Sequence, residues 1–264
     1  MATRTKAKGF SGLVKLKPIS SWSYSRWSDY AGDNGCPRKA KFKYVDRIRE
    51  PGSPAMDRGS VLHKFAELVV LQKALTYKNC VDEKGKPLCS AKDFKKFLAE
   101  WKTIQESFAD EFALLVKQKA STEEQITFRS DWTETEWTDW NGAWLRIKVD
   151  AMYVEPDGTV VIIDYKTGKI RDSHRGQLSL YAIAAFLRYP EAKKVRAELW
   201  YLDQGEILDE DYISSQLEKL QKEWIKKTKA MLSDTVWKPK PGAACRFCFY
   251  RKDNAKNGGG QCEF

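Results

Sequence analysis

At 264 residues, the chain can bury a hydrophobic core without disulfides or a structural metal, either as one large domain or as two small ones. Lys and Arg number 46 against 36 Asp and Glu, and the net charge of +10 favours a polyanionic partner such as nucleic acid. There is no apolar run of about 18 residues and no apolar leader in the basic N-terminus, which excludes a transmembrane protein and predicts a soluble, cytoplasmic one.

The first half of the sequence has mainly helical patterns. In chain order the predicted segments are a flexible basic arm (1–18), a short helix with a glycine break and a basic helix from Pro37 (19–57), a helix (58–74), an exposed loop (77–90) and a long helix or helical pair (91–119). Apolar residues at helical spacing predict the helix between Arg58 and Ala74. His63 and Glu67 are four residues apart and therefore lie on one stripe of that helix.

The second half has strand patterns between helices. The predicted segments are strands (124–132, 143–154 and 159–166), a helix (173–188), a strand (195–202), a short strand (207–208), a charged amphipathic helix (211–232) and a loop-rich tail with three cysteines (from 238). The turn sequence EPDG, residues 155–158, joins the second and third strands. This order predicts an α/β (α+β) core with helices on both sides of a sheet.

Three charged residues share the hairpin around that turn. Asp164 and Lys166 are two residues apart in a strand and therefore lie on one face. With the turn centred near Asp157, Asp150 lies opposite Asp164, whereas a slip of one residue would put the two acids on opposite faces. Opposed carboxylates are destabilising unless a cation offsets them, and oxygen ligands suit Mg²⁺ or Mn²⁺. The alternative is an ordinary surface hairpin in which Asp164 and Lys166 are solvated or paired with neighbouring side chains.

Four short sequences connect these residues with others. They are RGSVLHKFAE, IKVDAMYV, VIIDYKTGK and QLSLYAIAA, and they contain His63, Asp150, Asp164, Lys166, Gln177 and Tyr181. In order and spacing, between Arg58 and Leu187, they resemble the motifs of the PD-(D/E)XK nuclease superfamily, specifically its RecB/Cas4-like branch. One departure is Val149, which stands where the family often has proline. The resemblance implies a restriction-endonuclease-like core over residues 58–236, with a central mixed β-sheet flanked by helices.

The resemblance also implies a role for each motif residue. The implied ligands of Mg²⁺ or Mn²⁺ are His63, Asp150, Asp164 and the backbone carbonyl of Tyr165. Lys166 would orient the attacking water and help to deprotonate it. Gln177 and Tyr181, four residues apart on one helix face, would position the scissile strand or the lysine.

The activity implied by the resemblance is that of a metal-dependent DNA nuclease, first of all an exonuclease acting on DNA ends or single strands in recombination or repair. The expected partners are DNA and a recombination, helicase or single-strand-annealing protein. A structure-specific or restriction-type endonuclease and a non-catalytic DNA-binding module stay open as alternatives. No GxxxxGK[ST] sequence occurs, so any unwinding would come from a partner.

Six cysteines need a separate explanation, because a reducing cytoplasm keeps thiols unpaired. From spacing alone, Cys36, Cys245, Cys248 and Cys262 are either free thiols or a zinc site. They are similar to the cysteines of iron–sulfur members of the same nuclease branch, which implies a [4Fe–4S] cluster held by a lobe made of residues 19–57 and 237–264. Cys262 departs from that pattern because thirteen residues separate it from Cys248, which keeps Zn²⁺ as the alternative. The remaining pair, Cys80 and Cys89, is expected to be free.

Overall fold

A five-stranded mixed sheet forms the centre of the molecule in a computed structural model that describes residues 19–264. The strands are β1 (Ser121–Phe128), β2 (Leu145–Val154), β3 (Val160–Lys166), β4 (Lys194–Tyr201) and β5 (Glu206–Ile213), and they lie side by side in that order. Neighbouring strands are antiparallel except β3 and β4, which are parallel. The expectation of a mixed sheet is confirmed, while the predicted arm over 1–18 lies outside the described residues.

Seven helices of the described chain surround this sheet. They are α1 (Tyr24–Ala31), α2 (Pro37–Ala40), α3 (Pro54–Val70), α4 (Ala91–Ser107), α5 (Ala109–Lys117), α6 (Arg175–Arg188) and α7 (Leu217–Ser233). Several of them begin where the sequence supplies a capping side chain. Ser53 accepts a hydrogen bond from the Met56 amide with Pro54 as the first helical residue, so α3 starts four residues before the predicted Arg58. Ser90 caps α4 in the same way.

The helices cover both faces of the sheet. On one face, α3, α4 and α5 pack Phe65, Trp101 and Phe112 against Ile163 and neighbouring strand residues. On the other face, α6 and α7 enclose a core that includes Trp224, together with Trp22 from the segment that precedes α1. Truncating one such buried indole costs about 3–5 kcal/mol, so these two layers hold the strands in fixed positions. No helix among residues 19–264 is long and apolar enough to cross a membrane.

The predicted boundaries are wrong mainly at the far edge of the sheet. The short strand predicted at 207–208 is part of the eight-residue β5, and the helix predicted from Asp211 begins at Leu217. Only Tyr212 of β5 is buried, and the other seven side chains are exposed or partly exposed. An edge strand needs little apolar patterning because its pairing with β4 supplies the hydrogen bonds, so the charged residues of β5 appeared helical. The predicted helix 91–119 is the pair α4 and α5.

The two ends of the described chain pack against each other. Arg38 Nε donates to the carbonyl of Trp237 at 2.8 Å, and the Tyr250 hydroxyl donates to the carbonyl of Ile48 at 2.8 Å. The rings of Phe42 and Tyr250 are 5.3 Å apart. These contacts bring Cys36 into the same part of the molecule as the three cysteines of the tail.

Candidate active site

The paired strands β2 and β3 separate at the two predicted carboxylates. The ladder runs from Val154–Val160 to Ala151–Ile163, and one further step brings Asp150 opposite Asp164. The register predicted from the EPDG turn is therefore confirmed. The amide of Tyr165 donates to Asp150 Oδ2 at 2.6 Å. A side chain thus takes the hydrogen bond that a continuing ladder would have used.

We call this cluster the carboxylate fork, and it consists of His63, Asp150, Asp164, Lys166, Gln177 and Tyr181. Asp164 is only 8 % exposed and is therefore not solvated, whereas its pairing with Lys166 is an arrangement that an ordinary hairpin also allows. Its Oδ1 accepts hydrogen bonds from the Tyr181 hydroxyl and from Gln177 Nε2. Lys166 Nζ lies 2.5 Å from Asp164 Oδ2. A buried acid held by an ammonium, a phenol and an amide is fixed in position before any ligand binds.

The helix α6 orients the lysine. Gln177 Oε1 accepts a hydrogen bond from Lys166 Nζ at 2.8 Å, while the amide nitrogen of the same side chain donates to Asp164. One glutamine therefore connects the cation and the anion. Tyr181 lies one turn further along α6, and burial together with the charge of Asp164 raises the pKa of its hydroxyl well above the usual value. It stays a neutral donor.

His63 approaches the fork from α3, on the opposite side of the sheet. Its Nδ1 lies 3.2 Å from Asp150 Oδ1, and its ring stands edge-on to that of Tyr165. Burial lowers the pKa of His63, but the carboxylate of Asp150 outweighs burial and raises the pKa to about 9. Burial raises the pKa of Asp150, but His63, the Tyr165 amide and the charge of Lys166 together outweigh burial and lower it. The two side chains form an imidazolium–carboxylate pair in the absence of a metal.

The chemistry of these donors fits a divalent cation. Asp164 Oδ2 is buried, and its contact among the described residues is the ammonium of Lys166 at 2.5 Å. Two carboxylates, those of Asp150 and Asp164, together with an imidazole form a donor set that Mg²⁺ and Mn²⁺ accept. In the part of the chain from 19 to 264, no three His, Cys, Asp or Glu side chains converge closely enough to hold a metal ion. The ligands would therefore have to draw together on binding.

A cavity of about 570 Å³ on the α3 side contains charged residues that the sequence patterns missed. Glu123 of β1 lines it beside Asp150, and both burial and the charge of Asp150 raise the pKa of Glu123, although its ion pair with Lys148 opposes them. Glu67, predicted on the stripe of His63, also lines the cavity but pairs with Lys64 at 2.7 Å. The sequence signal that could have identified Glu123 is the pair of adjacent acids, Glu123 and Glu124, near the start of β1.

The loop after Lys166 is tied to α3. Gly168 has φ of +87°, which a residue with a side chain rarely adopts, and its amide donates to Asp203 Oδ2 at 2.6 Å. Both terminal nitrogens of the Arg58 guanidinium bond the carboxylate of Asp203, at 2.6 and 3.1 Å. This paired contact fixes the end of β3 and hence the direction of Lys166.

The four cysteines Cys36, Cys245, Cys248 and Cys262 line a second cavity, of about 640 Å³, which we call the cysteine cavity. The Lys240 amide lies 3.3 Å from the sulfur of Cys36, and the Gly242 amide lies 3.4 Å from the sulfur of Cys245. Amide donors of this kind accompany sulfurs that bind iron. None of the six cysteines, all of which lie within residues 19–264, forms a disulfide.

Comparison with known proteins gives the family. Residues 21–252 match the sequence model of the PD-(D/E)XK nuclease superfamily, and the chain belongs to that superfamily. The fold is also similar to the crystal structure of a presumed exonuclease from Eubacterium rectale, with 16% identity, a TM-score of 0.51 and coverage of 88% of either chain. A second structure, that of SSO0001, has 13% identity and a TM-score of 0.38, with coverage of 89% of this chain and 85% of the other. No curated protein sequence matches the chain.

Proposed function

We propose that this nuclease-superfamily chain is a metal-dependent deoxyribonuclease that acts as an exonuclease on DNA ends or single strands in recombination or repair. The observation that carries the proposal is Lys166, held between Asp164 and Gln177 next to Asp150. The solved relative from Eubacterium rectale is named as a presumed exonuclease, which agrees with this choice. A helicase, recombination or single-strand-annealing protein would be its partner.

The proposed roles follow from the contacts of the carboxylate fork. Asp150, Asp164, His63 and the Tyr165 carbonyl would hold Mg²⁺ or Mn²⁺, which supplies charge stabilisation to the phosphate when bound. Lys166 orients the attacking water, favours its deprotonation and stabilises charge that builds on the phosphate. Gln177 keeps the ammonium in place, and the hydroxyl of Tyr181 does the same for the carboxylate of Asp164.

Cleavage of end-labelled linear DNA and of circular DNA, with Mg²⁺ or Mn²⁺ added, tests the activity. We expect Asp164→Asn and Asp150→Asn to abolish cleavage, and Asp209→Asn, an exposed acid on β5, to leave it unchanged. Degradation of linear DNA with circular DNA left intact supports the exonuclease, whereas cutting of circles supports the endonuclease alternative. Undiminished cleavage by Asp164→Asn would overturn the assignment of the site.

We also propose a [4Fe–4S] cluster in the cysteine cavity, held by Cys36, Cys245, Cys248 and Cys262, in a protein of the reducing cytoplasm. The shared cavity and the amide donors to two of the sulfurs support the proposal. Iron and acid-labile sulfide are to be measured after anaerobic purification, beside Cys248→Ser and the control Cys89→Ser. A colourless wild-type protein that contains stoichiometric Zn²⁺ would overturn the cluster and show that the four cysteines bind zinc.

A further inference from the structure

A groove of about 670 Å³ leads away from Lys166 between α1 and the start of β2, and two of its cations have no acidic partner. Arg26 and Arg146 line it, and neither pairs with a carboxylate among residues 19–264. By contrast, Lys43 in the same groove is paired with Asp29 at 2.8 Å. The positive charges of the groove that have no carboxylate partner among residues 19–264 are therefore the guanidinium groups of Arg26 and Arg146.

Both guanidinium groups donate to Ser21, and Arg146 also donates from Nε and Nη2 to the carbonyl of Trp137, at 3.4 and 3.2 Å. Arg146 Nη1 donates to the hydroxyl of Ser21 at 2.6 Å, and Arg26 Nη1 donates to the backbone carbonyl of Ser21. Ser21 is in place because the next residue, Trp22, pairs with the start of β2 through Trp144. Two like charges held side by side repel each other, and their repulsion is relieved when an anion lies between them. A phosphodiester group matches the charge and the donor geometry of such a pair.

An exposed indole stands beside Arg146. Trp140 is 78 % exposed on the 129–144 loop between β1 and β2, and the Arg146 guanidinium lies 5.1 Å from the centroid of its ring. The guanidinium also lies 5.7 Å from the ring of Trp137, which lines the groove. Two of the four acids of this loop are already paired, since Asp139 pairs with Arg129 at 3.2 Å and Glu134 pairs with Arg188. Because Trp140 is 78 % exposed although Arg146 lies over its ring, the indole keeps accessible surface on which a flat group can stack beside a positive charge.

We propose that this groove carries single-stranded DNA to the carboxylate fork, with a backbone phosphate between Arg26 and Arg146 and an unpaired base stacked on Trp140. The inference rests on the proposed nuclease function and adds its substrate class. A base can stack on an indole only when it is not already stacked and paired inside a duplex. Arg146 precedes Asp150 by four strand residues, about 13 Å along β2, so the guanidinium pair and the fork lie within reach of one short single strand.

The first test measures binding of a fluorescently labelled oligothymidylate of about twelve nucleotides, long enough to pass both the fork and Trp140. No divalent cation is added, so that cleavage is absent. We expect Trp140→Ala to weaken binding about tenfold, and Trp140→Phe, which keeps an aromatic face, to restore most of it. Ile213→Ala is the matched control, because Ile213 is 55 % exposed at the opposite edge of the sheet. Equal affinities of Trp140→Ala and wild type would overturn the stacking contact.

The second test uses salt. Each phosphate contact contributes about −0.7 to the slope of log affinity against log salt concentration for single strands, so Arg26→Gln is expected to make the slope shallower by about that amount. Lys219→Gln, an exposed lysine of α7, is the control and should leave the slope unchanged. If Arg26→Gln leaves the slope unchanged, the proposed phosphate contact between the two guanidinium groups is overturned.

The outcomes separate this inference from the proposed function. Wild-type protein that binds the oligonucleotide through Trp140 but cleaves no DNA would overturn the nuclease and leave the groove assignment in place. Wild-type protein that cleaves DNA, with Trp140→Ala equally impaired on blunt duplex ends and on single strands, would overturn the single-strand assignment alone. We expect the KM for single-stranded substrate to rise about tenfold in Trp140→Ala, with a much smaller fall in kcat.

Discussion

The carboxylate fork and the cysteine cavity are two candidate metal sites that are built in different ways. Residues of the fork project from strands β2 and β3 and from helices α3 and α6, and they are hydrogen-bonded to one another. The cysteines lie on turns and at a helix cap, and the sulfurs of Cys36 and Cys245 accept backbone amides. Regular elements orient a site before it binds anything, whereas a site on turns depends on its ligand for order.

The largest effect should come from the cysteine cavity. Cys36 and the tail enclose about 200 residues of chain, and the proposed cluster, by joining them, would stabilise the fold by on the order of 5 kcal/mol in the loop-entropy treatment of cross-links. We expect Cys248→Ser to lose most of that free energy of unfolding, while activity per folded molecule changes little. Thermal and urea unfolding measure it, with Cys89→Ser as the control. A variant as stable as wild type would show that the cavity needs no ligand.

The next largest effect is expected in the carboxylate fork, where loss of the Lys166 ammonium should lower kcat. Lys166→Met is expected to reduce kcat about a thousandfold, the range of a positioned proton-transfer group, with the folded state retained by circular dichroism. Lys169→Met, an exposed lysine three residues further along the same turn, is the control. Comparable losses in both variants would mean that the positive charge of the turn matters rather than the position of the ammonium.

The sequence predicts those parts of the two sites whose residues lie close together in the chain, and not those whose residues are far apart in it. Alternation in β2 and β3 and the EPDG turn set the register that opposes Asp150 to Asp164, and helical spacing put Gln177 and Tyr181 on one face. Arg26 and Arg146, by contrast, are 120 residues apart, and only the docking of Trp22 on β2 brings them together. No periodic pattern encodes such a contact, because it depends on the packing of the whole core.

A smaller effect is expected from the support of the lysine. Asp203→Asn weakens the paired contact with Arg58 and the hydrogen bond from the Gly168 amide, so the turn after β3 is held less firmly. We expect kcat to fall about tenfold, because a misplaced catalytic group loses its alignment with the substrate. The KM for DNA should change much less than kcat. Asp209→Asn is the matched control, and a kcat equal to that of wild type would show that α6 alone positions Lys166.

The smallest effect concerns Asp29, which connects the two regions. It lines the groove of the fork and pairs with Lys39, which lines the cysteine cavity, at 2.8 Å. Burial raises the pKa of Asp29, but hydrogen bonds from Lys39, Lys43 and Tyr44 outweigh burial and lower the pKa below its ordinary value. Its stabilising contribution is therefore present above the ordinary pKa and is lost as the pH falls through the lowered one.

Asp29→Asn should accordingly destabilise the protein by about 1 kcal/mol at neutral pH, because the partners are partly exposed and screened. The difference from wild type should shrink as the pH is lowered below the ordinary aspartate value. Urea unfolding at several pH values measures both, with the exposed Asp33→Asn as the control. A difference that persists unchanged in acid would assign the effect to packing rather than to charge.

Because the ladder breaks at the fork, one backbone amide contacts a proposed cation ligand and can report cation binding. The amide of Tyr165 is bonded to the carboxylate of Asp150 at 2.6 Å, whereas Ile163 lies inside the ladder. A cation that binds Asp150 withdraws charge from the oxygen that this amide contacts. In a nuclear magnetic resonance titration with Mg²⁺, the Tyr165 amide signal should therefore move while that of Ile163 stays in place. Occupancy of the fork becomes visible at one backbone proton, without DNA and without turnover.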